Sequence, residues 1–136
     1  MEEMLKVFVP GRPVPQGSLA VGARGQLYWS NTKTLRPWRK AMTSIVEAFM
    51  PRDLNDGYDD GVRVELKFYH ERPASVKRIH KITAGDLDKL TRAALDSLTD
   101  SKIITDDSRV VELDCGKYYV NDEHPTEGVY ITIWKL

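Results

Sequence analysis

Asp86 and Asp88 stand two positions apart in the stretch Gly85-Asp86-Leu87-Asp88-Lys89-Leu90-Thr91-Arg92, and a further acidic pair follows in Asp106-Asp107-Ser108. Gly85 breaks the chain just before an apolar pattern of helical period. That puts Asp86 at or near a helix N-cap and Asp88 in the first turn. Inside a helix, residues two apart point to different sides, but from a cap position Asp86 can turn towards Asp88. Arg92 shares the face of Asp88, one turn later. Asp106-Asp107 falls in a loop before the next strand and meets the helix start only if the fold returns it there. Carboxylates that converge form a hard, oxygen-rich site for Mg²⁺ or Mn²⁺ rather than zinc. Such an ion polarises a phosphodiester and acidifies a bound water. Arg92 or a lysine would then offset the charge developing on the phosphoryl group. The same residues also have plainer uses. An Asp before a helix is commonly a cap worth about 1 kcal/mol, and Asp-Asp-Ser before a strand commonly makes a turn. Asp96, four residues after Arg92, is spaced for a surface ion pair with it.

Cations are grouped along the chain although 20 basic residues balance 20 acidic ones. Lys and Arg dominate residues 1–40 and 71–92, while Asp and Glu dominate 41–70 and 93–114. Arg12, Arg24, Lys33, Arg36, Arg39 and Lys40 surround Tyr28 and Trp29, a mixture suited to phosphates and exposed bases. Lys77, Arg78, His80 and Lys81 lead into the carboxylate stretch and are placed to steer a polyanion towards it. A solvated face explains any one of these groups equally well. His80 and His124 lack partners at metal-ligand spacing, and Ser18 and Thr91 lack the His-Asp setting of a nucleophile. Cys115 stands alone, which excludes an internal disulfide and a Cys-based zinc site, and it reads as a buried strand residue.

The elements that must hold these groups are legible from period. Leu5–Val9 and Val62–Tyr69 alternate as strands. A short β-favouring run covers 26–29. Trp38, Met42, Ile45, Val46 and Phe49 repeat as a helix over 37–49, with Pro37 in its first turn. The apolar face of 37–49 suits either the core, where Trp38 belongs, or a dimer surface. A second helix runs from about Asp88 to Leu98. Strands follow at 109–120 and 128–134, and the polar run Asn121–Glu127 reads as a hairpin loop between them. The sum is an α+β fold: one small domain over 1–136, a mixed sheet with two main helices on one face. No apolar run approaches the roughly 20 residues that span a bilayer. With no signal-peptide pattern and one cysteine, a reducing cytoplasm is the expected compartment.

The stretch from Asp86 to Lys117 resembles the RusA family of Holliday junction resolvases, homodimeric endonucleases often carried by phages and prophages of bacterial hosts. The resemblance rests on Asp86-Leu87-Asp88-Lys89, Arg92, Ala94-Leu95-Asp96-Ser97-Leu98, Asp106-Asp107-Ser108-Arg109-Val110-Val111 and Lys117. It implies that Asp86, Asp88 and Asp107 bind the metal, Mg²⁺ with Mn²⁺ as a substitute. It also implies that Arg92 takes the place of a catalytic lysine, and that Lys117 contacts DNA or supports the transition state. Lys89 replaces the family's usual Asn and adds a cation to the DNA-binding set. Arg92 keeps the charge but stays protonated, so it cannot donate a proton as Lys can. The function implied is resolution of four-way junctions by paired nicks in DNA recombination and repair, with branched DNA and a second copy of the chain as partners. A less selective nuclease and a non-catalytic junction-binding dimer are the alternatives.

Overall fold

The computed structural model describes every residue except 18, 55 and 84, and gives only the backbone of Leu19 and Trp29. Four strands form the main sheet: β1 (Glu2–Pro10), β4 (Val62–His70), β5 (Val110–Tyr119) and β6 (Gly128–Lys135), in the order β1-β6-β4-β5. Two short strands, β2 (Leu19–Val21) and β3 (Leu27–Trp29), make a separate hairpin. The helices are α1 (Thr32–Phe49) and α2 (Leu87–Asp100).

The core follows from the alternation. Val62, Val64, Leu66 and Phe68 of β4 are fully buried, as are Val129, Ile131 and Ile133 of β6. β6 is antiparallel to both β1 and β4, with Val7 opposite Ile131 and Leu66 also opposite Ile131. Against this face pack Leu35, Trp38, Met42 and Val46 of α1 and Leu90, Ala93, Ala94 and Leu98 of α2. Most of the α1 stripe is therefore core, with Ile45 partly buried, while Phe49 at the end of the helix is 68% exposed. Burying apolar surface at ~25 cal/mol per Å² is what holds the layers together. β5 runs parallel to β4 as an edge strand, and its Glu112 and Asp114 face Arg63 at 3.5 and 3.4 Å. Charges of this kind discourage pairing with another chain's strand. Cys115 on this strand is half-buried.

Three expectations need correction. β5 and β6 are not a hairpin, because β4 lies between them. The 121–127 segment instead crosses the end of β4: Val120 N–H donates to the His70 carbonyl (2.9 Å), and Glu71 N–H to Glu127 Oε2 (2.8 Å). Alternation identifies a strand but not its neighbour. Helix α1 begins at Thr32, so Pro37 sits inside it. Pro37 is on the solvent side, where its missing N–H deprives only one carbonyl of a partner. Asn31 takes the cap position with its carbonyl, while its side chain accepts from Gly17 N–H (2.8 Å) and donates to the Pro15 carbonyl (2.6 Å). That ties the Pro-rich loop to the helix start. The third correction is an added strand, β2, which pairs antiparallel with β3. No described helix is long and apolar enough to cross a membrane.

Candidate metal and DNA-binding site

Gly85 has φ +100°, a conformation open to glycine at little cost. It turns the chain so that Asp86, in extended geometry, becomes the N-cap of α2. The Asp86 carbonyl accepts from Lys89 N–H (3.1 Å) and Leu90 N–H (3.0 Å), but its side chain makes no capping bond. The plain capping role is thus filled by backbone alone. Asp88 follows in the first turn, exposed. Neither carboxylate has a hydrogen-bond or ion-pair partner among the described residues. The Lys89 carbonyl accepts from Gln16 N–H (3.1 Å), which seats the Pro-rich loop against the helix start.

Lys117 reaches the same place from β5. Its Nζ donates to the carbonyls of Thr83 (3.0 Å) and Gly85 (3.1 Å). It fixes the chain immediately before Asp86. Lys117→Met is expected to cost about 1 kcal/mol in stability, the net worth of such bonds. Urea unfolding beside wild type measures it; equal midpoints would mean the lysine holds nothing.

Arg92 is exposed one turn beyond Asp88 and does not pair with Asp96. Asp96 is claimed by Arg39 of α1 (3.5 Å), whose Nε also binds Asp100 at 2.7 Å. Burial pushes the Asp96 carboxyl up, against the pull of Arg39. Arg39 is therefore a clamp between α1 and α2 rather than a free DNA contact. Asp106 caps the short 3₁₀ turn Asp107–Arg109, accepting from Ser108 N–H at 2.9 Å. Asp107 accepts from the Thr99 hydroxyl near the far end of α2. Asp59 bonds both Thr105 (2.6 Å) and Arg109 (2.8 Å), fastening the segment that carries Asp107. Thr99 lies eleven residues beyond Asp88, about 16 Å along the helix axis at 1.5 Å per residue. Within one chain, Asp107 thus stands apart from Asp86 and Asp88. No group of three or more acidic, His or Cys residues among the described residues is arranged to hold a metal.

The candidate DNA-binding cations fall into two regions. Arg24, in the β2–β3 turn, and Lys33 and Arg36, early in α1, are exposed on the hairpin side, where Arg36, Lys40 and Tyr28 line an open cleft. Lys77 and Arg78 are exposed on the connection leading to α2, and Lys89 is exposed in its first turn. Lys81 is half-buried near Arg12 and Lys117. The Trp29 side chain, suited by sequence to exposed bases, and Ser18, already set aside as a nucleophile, lie outside the described residues, and Thr91 is buried. His80 is exposed.

One residue escaped the sequence. His70, at the end of β4, is buried, and burial followed by the nearby Lys81 cation lowers its pKa from 6.5 to about 4, with Arg12 and Lys117 adding to the effect and Glu127 opposing it. Its alternation looks like that of any inward strand residue, so nothing in the pattern singled it out. An unfolded chain takes a proton at this histidine below about pH 6.5, whereas the folded chain does not until about pH 4. The unfolded state therefore binds more protons in that window, and stability falls as pH drops. Between pH 6.5 and 4.5 the expected loss is roughly 2 to 3 kcal/mol. Urea titrations across this range measure it, and His70→Asn should flatten the slope.

No curated relative matches the sequence at a significant level. The family model for endodeoxyribonuclease RusA matches residues 10–134, nearly the whole chain. The exposed carboxylates at the start of α2, the lysine behind them and this match agree: the chain belongs to the RusA family of Holliday junction endodeoxyribonucleases.

Proposed function

We propose that the chain is a Mg²⁺-dependent, structure-selective nuclease that resolves four-way junctions by paired nicks, as a homodimer, in DNA recombination and repair. A bacterial cytoplasm is the setting, from a host or a phage gene. The observation that carries this reading is the pair Asp86 and Asp88, both exposed at a helix start and both without a partner among the described residues. Mg²⁺ usually takes one or two carboxylates and completes its shell with water and substrate phosphate. The donor set fits that habit, with Mn²⁺ as a substitute. When bound, the ion supplies a polarised phosphodiester and an activated water.

The chain's own residues do the rest. Asp86 and Asp88 hold the ion. Arg92, permanently charged, stabilises the phosphoryl oxygens electrostatically and moves no proton. Lys117 positions the approach to Asp86 through the Thr83 and Gly85 carbonyls. Arg12, Lys77, Arg78, Lys81 and Lys89 hold the strand near the site, and Arg24, Lys33 and Arg36 bind an arm on the hairpin side.

The position of Asp107 supports a dimer. Asp88, Arg92, Asp96 and Thr99 form one stripe along α2, with Asp107 at its far end. Two copies related by a two-fold axis across this stripe would run antiparallel. Asp107 of a second copy would then meet Asp86 and Asp88 of the first. Two such composite sites would suit two symmetric cuts.

Synthetic mobile and immobile junctions, with and without Mg²⁺ or Mn²⁺ and in competition with linear duplex, test the activity. Metal-dependent paired nicks are expected. Binding without cleavage in either metal would leave a non-catalytic junction-binding dimer, and equal cutting of duplex a less selective nuclease. Mixing tests the composite site. Asp88→Asn and Asp107→Asn proteins, each inactive alone, should regain single-strand nicking after subunit exchange, because the mixed dimer holds one intact site. No recovery would place the site within one chain.

A further inference from the structure

An open cleft of about 560 Å³ lies where β4 ends, beside the connection to α2. Arg12, Arg72 and Lys81 line it, together with His70 and Tyr119. Glu71 and Glu127 also line it, so three cations face two carboxylates, and the Glu127 carboxylate accepts from the Glu71 amide at 2.8 Å. His70 and Tyr119 are 7% and 5% exposed, and neither the His70 Nδ1 nor the Tyr119 hydroxyl, both sealed from solvent, has a hydrogen-bond partner among the described residues. Buried polar atoms are nearly always satisfied, so two orphans in the wall of one basic cleft call for an explanation. The cations are crowded as well: Lys81 is pushed down by burial first, then by Lys117 and Arg12. The Arg72 guanidinium lies over the Tyr119 ring, 5.2 Å from its centre.

The cleft adjoins the carboxylates. Thr83, which lines it, shares the Lys117 ammonium with Gly85. Lys81 Nζ lies 3.9 Å from where a side chain would begin at Gly85, next to Asp86. An anion rich in oxygen acceptors would offset the crowded charge, and a small shift of the cleft wall would give the two sealed polar atoms a partner. We propose that this cleft is a phosphate subsite, holding a phosphodiester of the DNA strand adjacent to the one presented to Asp86 and Asp88. The inference rests on the nuclease reading above. It adds Arg72, His70 and Tyr119 to the binding residues. Two anchored phosphates would also fix the direction in which the strand crosses the carboxylates.

Junction binding without cleavage, in Ca²⁺, tests the subsite. Arg12→Gln and Arg72→Gln should each weaken binding about tenfold and lower the salt slope by about one. Tyr119→Phe should weaken binding about threefold with the slope unchanged, since it removes a neutral donor. Thermal melts of the three variants show whether each is folded. Folded variants that bind as wild type does would overturn the subsite, even while wild type cuts junctions normally. Inorganic phosphate, followed by the His70 ring resonances in NMR, provides an arm independent of DNA. A saturable shift, absent in Arg72→Gln, is expected whether or not the nuclease reading survives. No shift would count against the cleft. A shift with phosphate but unaltered DNA binding in every variant would make it a site for free anions and overturn the DNA assignment.

Discussion

Asp88→Asn should leave the protein folded and bound to junctions while reducing metal-dependent nicking more than about a hundredfold, since even the loss of a group that merely supports a ligand costs 10- to 100-fold. The expected split follows from the isolation of Asp88. Its carboxylate is exposed and makes no hydrogen bond or ion pair with any described residue. Replacing it therefore removes no side-chain contact, only a favourable charge in the first turn of α2, worth about 1 kcal/mol or less. The amide keeps the size and one acceptor oxygen but loses the charge that a hard cation requires. Removing a negative charge beside a polyanion should, if anything, tighten binding. The predicted signature is a split: cleavage lost, affinity kept. Gel-based nicking and fluorescence anisotropy on the same junction measure both. Asp122→Asn, in the exposed segment that crosses the end of β4, is the control. If both variants lose activity alike, the carboxylates at the helix start have no special role.

Phe68→Ala should cost about 3–5 kcal/mol, a large share of the ~5–15 kcal/mol that holds a domain of this kind together. Phe68 is fully buried in β4, with β6 on one side and β5 on the other, and it stands opposite Val129 and Lys117 in the register. Removing the ring opens a cavity in the central strand, where neighbours on both sides are locked by ladder hydrogen bonds and cannot collapse inward. A partly unfolded population should therefore lower nicking in proportion to the folded fraction and not beyond it. Urea denaturation gives the stability change, and specific activity per folded molecule separates loss of fold from loss of chemistry.

The extent to which the sequence was legible follows from the kind of signal each feature carries. The alternation in Val62–Tyr69 and Gly128–Trp134 marked buried strands because one face of each must leave water. The same alternation could not say that β4 would separate β5 from β6, since pairing partners leave no trace in a period. Helix α1 started earlier than Pro37 suggested because Asn31 caps it through its carbonyl while its side chain serves another loop. At the site, Gly85 and the spacing of Asp86 and Asp88 were local features, and the helix start was found where they put it. The place of Asp107 was not local. It depends on the docking of a 3₁₀ turn through Thr99 and the Asp59 bonds to Thr105 and Arg109. His70 and Tyr119 were hidden because a buried polar residue on a strand looks like any other inward position until its missing partner is seen.

The sheet order has a bearing on how this protein is made. β6 is the last strand along the chain, yet it lies between β1, the first, and β4. While residues 128–135 are still within the ribosome, β1 has no neighbour and β4 is paired on one side only. The nascent chain must carry the open edges of β1 and β4 until residues 128–135 emerge, and such edges recruit other chains. Closure of the sheet is therefore a single late insertion, in which β6 joins β1 to β4. Chaperones that cover the open edges of β1 and β4 should therefore raise the yield of native protein in a cell.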